Sequence, residues 1–264
     1  MRPKFPAAFE LFYAVFEGSV AEVKNRLEQG DDPNAISVFG STPIFYAVRS
    51  ASLLPKADAL FAAGARLDVW DGYGMQALHW VSAGWRDDTS FIAWLLDRGV
   101  NPNLAVRPAR LDQHHPVGWT PLHIAAAANA LPAIELLLSR GADPNLRAAD
   151  GAAPLHIAAS SGRLYKRLIR CLLDSGADMD VQQADGRTAL HILAAGCGRY
   201  RKGIIQLLRN RNSRLDLLDS YGRRPIDVVR EGAPATDELK RLLSGTSNSG
   251  ECQPSDGNRV NREE

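Results

Sequence analysis

Apolar residues in this chain recur with a long period instead of gathering into one block. Leu136-Leu137-Leu138 and Cys171-Leu172-Leu173 are each followed within a few residues by glycine, at Gly141 and Gly176. Leu60 to Gly64 and Leu95 to Gly99 repeat the pattern, and Leu27 to Gly30 is an earlier, degenerate copy. Upstream of Leu136, Leu122, Ile124, Ala125 and Ala126 form a second apolar cluster, so the spacing predicts a helix pair. The alanines let helices approach closely, and Ile134, Leu137 and Leu138 give the second helix one apolar face. A lone pair cannot bury both faces, so pairs must stack.

The boundaries of each pair carry matching local chemistry. Segments starting at Gly74, Gly118, Gly151 and Gly186 read Gly-Met-Gln-Ala-Leu-His, Gly-Trp-Thr-Pro-Leu-His, Gly-Ala-Ala-Pro-Leu-His and Gly-Arg-Thr-Ala-Leu-His. Gly40 opens an earlier copy and Gly222 a later one. Thr120 suits an N-cap, and Pro121 suits the first helical position, where a missing N–H costs nothing. Gly141 supplies a left-handed C-terminus, and Asp143-Pro144-Asn145 turns the chain into an extended arm. Starts lie 33–36 residues apart, except between Gly74 and Gly118.

The Gly-x-Thr-Pro-Leu-His box, the Leu-Leu run and the Gly-Ala-Asp-x-Asn ending together resemble the ankyrin repeat. The resemblance spans residues from about 9 to 243. It implies an all-α solenoid of stacked helix-turn-helix units with protruding arm tips. The expected domain is 1–243: an N-terminal cap near 9–35, repeats over 36–218 with an insertion at 104–114, and a C-terminal cap near 219–243. Residues 244–264 are polar and read as a disordered tail.

Composition narrows the function classes. The chain has 264 residues, 45% hydrophobic and 23% charged, with a net charge of +1. Overall charge therefore selects no partner. Cys171, Cys197 and Cys252 fit neither a disulfide framework nor a zinc spacing, which suggests a reducing compartment. With no secretory signal and no apolar run long enough to cross a bilayer, a cytoplasmic location is expected, and the nucleus is compatible too. No phosphate loop, nucleophile elbow or dinucleotide fingerprint occurs, so no enzyme activity, cofactor or metal is expected. His79, His123, His156 and His191 hold one repeat position, and the resemblance implies a structural role for them. Cys171 falls on the apolar stripe of a second helix and is expected in the core.

The positions that the repeat leaves free carry the functional expectation. The resemblance implies that arm tips and the inner face of the first helix form a concave protein-binding surface. Candidate partner-binding residues are Phe39, Trp70, Tyr73, Met75, Trp119 and Tyr221 at tips, together with Arg187. Arg107, Arg110, His114 and His115 come from the insertion, which is expected to join the binding surface. Exposed aromatics favour interfaces, although the same rings could pack on neighbouring tips. Residues 163–230 hold 14 Lys/Arg against 7 Asp/Glu, and Arg199 and Arg201 in this block are candidates for an acidic protein partner. Nucleic acid is the weaker alternative, since no stacking aromatic series accompanies the charge. The expected function is a monomeric adaptor or stoichiometric inhibitor of a folded protein, a host-targeted effector and an antitoxin-like protein being narrower versions.

Overall fold

A computed structural model describes residues 7–48, 51–84, 88–109, 117–161, 166–196, 201–229 and 236–244. The helices fall into consecutive pairs. They are α1 (Ala7–Phe16) with α2 (Val20–Glu28), α3 (Pro43–Ala47) with α4 (Leu54–Ala62), and α5 (Ala77–Val81) with α6 (Ser90–Asp97). Then come α7 (Pro121–Ala128) with α8 (Leu131–Ser139), α9 (Pro154–Ser160) with α10 (Lys166–Asp174), and α11 (Ala189–Ala195) with α12 (Arg201–Arg209). A 3-10 turn at Pro225–Val228 precedes α13 (Thr236–Leu243). Among the described residues there is no β-strand, and the expected all-α solenoid is the observed one.

The first helices from α3 to α11 are short, five to eight residues. Pro43, Pro121 and Pro154 start three of them, and small residues let α7, α9 and α11 stack directly. Ala125, Ala126, Ala158, Ala159 and Ala194 are buried in that stack. The second helix closes each unit with an aliphatic stripe: Ile134 and Leu137 on α8, Leu168, Ile169 and Leu172 on α10, Ile204, Ile205 and Leu208 on α12. These stripes merge into one core that runs through the stack. Cys171 differs from expectation: it lies beside the buried stripe of α10, half-buried, and burial raises its thiol pKa.

Each second helix ends in a left-handed residue, as at Gly141 (φ 85°); Asn212 (φ 63°) adopts the same conformation after α12. An asparagine on the arm beyond one such turn staples the next unit. Asn103 donates from Nδ2 to the Gly141 carbonyl (3.0 Å) and accepts from the Asp143 N–H (2.8 Å). Asn34 does this to Gly64 and Arg66, and Asn145 to Gly176 and Asp178. Asp180 accepts from the Arg214 N–H (2.9 Å), but a carboxylate has no proton for the carbonyl half of the staple.

The insertion does not begin where the sequence suggested. In a regular arm, Ser37 N–H donates to the Ser41 carbonyl and Ala148 N–H to the Ala152 carbonyl, four residues on. Val106 makes that same bond to Trp119, thirteen residues on. Leu104 to Val106 are thus ordinary arm residues, and nine extra residues enlarge the turn itself. Leu104 accepts from His79 (2.9 Å), and Val106 is only 2% exposed. Removing residues 104–114 would therefore break the stack, contrary to a purely peripheral insertion. Val106→Asp should cost about 3 kcal/mol by burying an unpaired charge. Chemical denaturation checks this, and wild-type stability in that variant would place Val106 outside the core.

Candidate protein-binding surface

The arms are held up by histidines. In each box the imidazole Nδ1 accepts a backbone N–H from three residues earlier: Gln76 for His79, Thr120 for His123, Ala153 for His156 and Thr188 for His191. With Nδ1 occupied as an acceptor, the ring is neutral and carries its proton on Nε2. That N–H donates across to the following arm, at Leu104 (2.9 Å), Ala152 (3.0 Å), Val181 (2.9 Å) and Arg223 (2.9 Å). Burial lowers all four pKa values, to about 4 for His79 and His123.

Neighbouring arm tips also bond to one another. Gly72 N–H donates to the Phe39 carbonyl (2.9 Å), Ala149 to Val117 (3.1 Å), Ala184 to Asp150 (2.8 Å) and Ser220 to Asp185 (2.8 Å). The matching donor before Gly118 would be Pro116, which has no N–H. Instead Arg107 N–H reaches the Gly74 carbonyl (2.9 Å), so the start of the enlarged turn fills the ladder.

Among the candidate residues only some remain open to a partner. Phe39 is 52% exposed, and Tyr221 is exposed beneath the Arg223 guanidinium, 4.7 Å from its ring. Trp70 is half-buried, covered by Arg107 at 4.1 Å, with its ring 5.9 Å from His79. Trp119 is half-buried and stacks on His123, and Tyr73 meets Trp80 edge-on at 6.0 Å. These three rings pack within the array. Met75 is a correction: it is buried, and its N–H donates to the Asp71 carboxylate of the same arm. Arg187 pairs with Asp185 at 3.5 Å. Arg110, His114, His115 and Arg199 lie outside the described residues.

Within the basic block, Arg201 is a second correction. Arg201 is 4% exposed and donates to the Ala194 carbonyl (3.3 Å) and to that of Gly196, capping the end of α11. Arg167, Lys202 and Arg211 pair with Glu135, Glu238 and Asp174 of adjacent units. Arg98 with Asp58 and Arg140 with Asp97 extend this ladder along the second helices. Each exposed pair stabilises little, but it removes a free charge. On α10, Lys166 and Arg170 remain exposed. Asp219 is buried; burial would raise its pKa, but bonds from Arg223 and from backbone N–H groups outweigh that and hold it at about 2.

The inner face of the first helices was expected to join the tips, but none of the candidate residues lies on it. The residue after the box histidine, or after Phe12, Phe45 or Asp227 where these take its place, is apolar in every unit: Tyr13, Tyr46, Trp80, Ile124, Ile157, Ile192 and Val228. All are partly or well exposed, and Trp80 faces the arm, donating from Nε1 to Asp71 (2.7 Å). Helices α3, α5, α7, α9 and α11 contain no Asp, Glu, Lys or Arg. The arm side of the stack is therefore uncharged along its inner helices. The signal was present in the sequence as a constant apolar character at a position the box leaves variable.

A family model described as ankyrin repeats (3 copies) matches residues 83–166 and 155–233, more than half of the chain. The chain belongs to the ankyrin-repeat family. Its fold resembles that of the ankyrin repeat domain of Bcl-3, described as a unique member of the IkappaB protein family. That domain is 24% identical, with a TM-score of 0.71 over 89% of this chain and 98% of the other. Human ASB11's ankyrin repeat domain is 20% identical, with a TM-score of 0.71 over 90% and 98%. Among sequences, the human 2-5A-dependent ribonuclease is 33% identical over 41% of this chain but 13% of its own length. Chicken nuclear factor NF-kappa-B p105 subunit is 31% identical over 58% of this chain and 15% of its own. The chain thus spans a small part of these relatives. Ankyrin arrays are protein-interaction modules and typically non-catalytic scaffolds.

The ankyrin histidines give a pH dependence with a definite sign. Their folded pKa values lie below the ordinary 6.5, so the unfolded chain binds more protons as pH falls through that range. Stability is complete above about pH 6.5 and falls progressively toward pH 4, by about 2 kcal/mol at pH 5 for each histidine with a pKa near 4. Denaturation midpoints measured from pH 7.5 to 5 should fall steeply, and His123→Gln should flatten the slope. A midpoint constant over that range would contradict the neutral bridges.

Proposed function

We propose that this chain is a stoichiometric protein-binding ankyrin array, an inhibitor or adaptor, that grips a folded partner with its arm tips and inner helices. One observation carries the reading: unit-to-unit pairs engage several charges of the outer helices, while large apolar side chains stay exposed on the arm side at Ile36, Val38, Phe39 and Trp80. Exposed apolar and aromatic clusters of this kind mark interfaces. Likeness to an IkappaB-family domain supports an inhibitor within this reading.

The distribution of exposed side chains favours the arm side over an acidic partner on the basic block. Arg201 is buried, and several other basic side chains of that block already hold acids. Partner capture from native lysate, followed by calorimetry with the captured protein, tests the reading. Phe39→Ala should weaken binding by about 2 kcal/mol with little change in melting temperature. Trp119→Ala, which loses the stack on His123, should instead lower the melting temperature. Unchanged affinity in Phe39→Ala, together with loss of binding on reversing Lys166 and Arg170, would move the interface to the outer helices.

A further inference from the structure

The ladder of arm tips is open at its first rung. In the arms ending at Gly74, Gly151, Gly186 and Gly222, the residue two before the turn glycine donates its N–H to the preceding arm. In the first arm that residue is Val38, and no described residue accepts from it. The turn is otherwise the same: Gly40 has φ 72°, its N–H donates to the Ser37 carbonyl, and Ser37 N–H donates to Ser41. By register, Val38 N–H points to where an earlier arm would lie.

The side chains around this donor are not those of a surface facing only water. Ile36 is 72% exposed, Val38 73% and Phe39 52%, three large apolar groups within four residues. Trp70 and Trp119 are half-buried, under Arg107 and on a box histidine, whereas at the last tip Tyr221 stays exposed with Arg223 over one face. Of the charges on this arm and the next, Arg66 pairs with Asp68 and Asp31 with Arg26, and Asp32 accepts from the Asn34 N–H. Ala7 to Phe9, which align with Gly40 to Thr42 of the turn and cap, are already helical in α1 and so do not form an arm turn themselves.

We propose that the first arm is a docking edge for an extended, uncharged, apolar segment of a partner protein, which lays its backbone down as the missing arm. A partner carbonyl accepts from Val38 N–H, and partner side chains cover Ile36, Val38 and Phe39. The other rungs show that an extended backbone fits this register, and the engaged charges disfavour a charged segment. The idea rests on the protein-scaffold reading and names which chemistry that scaffold takes at this end.

The test uses the full chain and a cyclised peptide copying Asn34 to Pro43, whose Phe39 carbonyl is the acceptor used by the second arm. In a nuclear magnetic resonance titration the Val38 amide should shift saturably. Val38→Pro removes the donor at the second turn position, where proline is favoured, and breaks no internal bond. It should keep the wild-type melting temperature and bind the peptide at least tenfold more weakly. If that variant unfolds the arm, Ile36→Asp with Val38→Asp provides the second test and must show the same loss. No saturable shift, or equal affinity in these variants, overturns the proposal. So does a Val38 amide already protected from exchange in the free chain, whether protection vanishes on removing residues 2–6 or on dilution. The first would make the chain's own start the occupant, and the second another copy. A native partner still held by Val38→Pro at full affinity would overturn the docking edge while leaving the scaffold reading intact.

Discussion

The histidine bridge is the interaction on which the rest of the array depends. One neutral imidazole accepts a backbone N–H within its own box and donates to the next arm, at 2.9 Å for His191 to Arg223. It therefore fixes a helix start and the position of the following hairpin at once. The ring is buried, so protonation costs both desolvation and the Nδ1 acceptor. Four successive bridges carry that constraint from unit to unit and hold the arm tips close enough for their backbones to bond.

Stacking uses polar groups in an orderly way, and that decides which surfaces stay open. Asparagines staple the turns, ion pairs link adjacent outer helices, and Arg201 caps α11 from within. The inner helices α3, α5, α7, α9 and α11 contribute no charge, only a row of apolar residues beside the arms. A partner meeting the outer side finds a mixture of paired charges and open ones such as Lys166 and Arg170. One meeting the arm side at the first units finds exposed apolar groups without a desolvation penalty for charge.

The repeat itself was legible in the sequence because several residues recur together, each with a local physical reason: threonine and proline at helix starts, glycine at left-handed ends. What was not legible depended on contacts between units. Trp70 and Trp119 look like free tips until Arg107 and His123 are seen against them. Arg201 reads as one more basic residue of a charged block until its donors are traced to the end of α11. The insertion was misplaced because sequence gaps mark length, whereas hydrogen-bond register marks position: Val106 pairs with Trp119 just as Ala148 pairs with Ala152.

The central claim is that the arm side of the first units, and not the charged outer helices, receives the partner. A hydrogen-exchange footprint of the array in complex with its captured native partner tests this most directly. The account predicts added protection in the first and second arms, around Ile36 to Ser41 and Trp70 to Met75, and in α3 and α5, with the outer helices α8, α10 and α12 unchanged. Protection confined to those outer helices would contradict it.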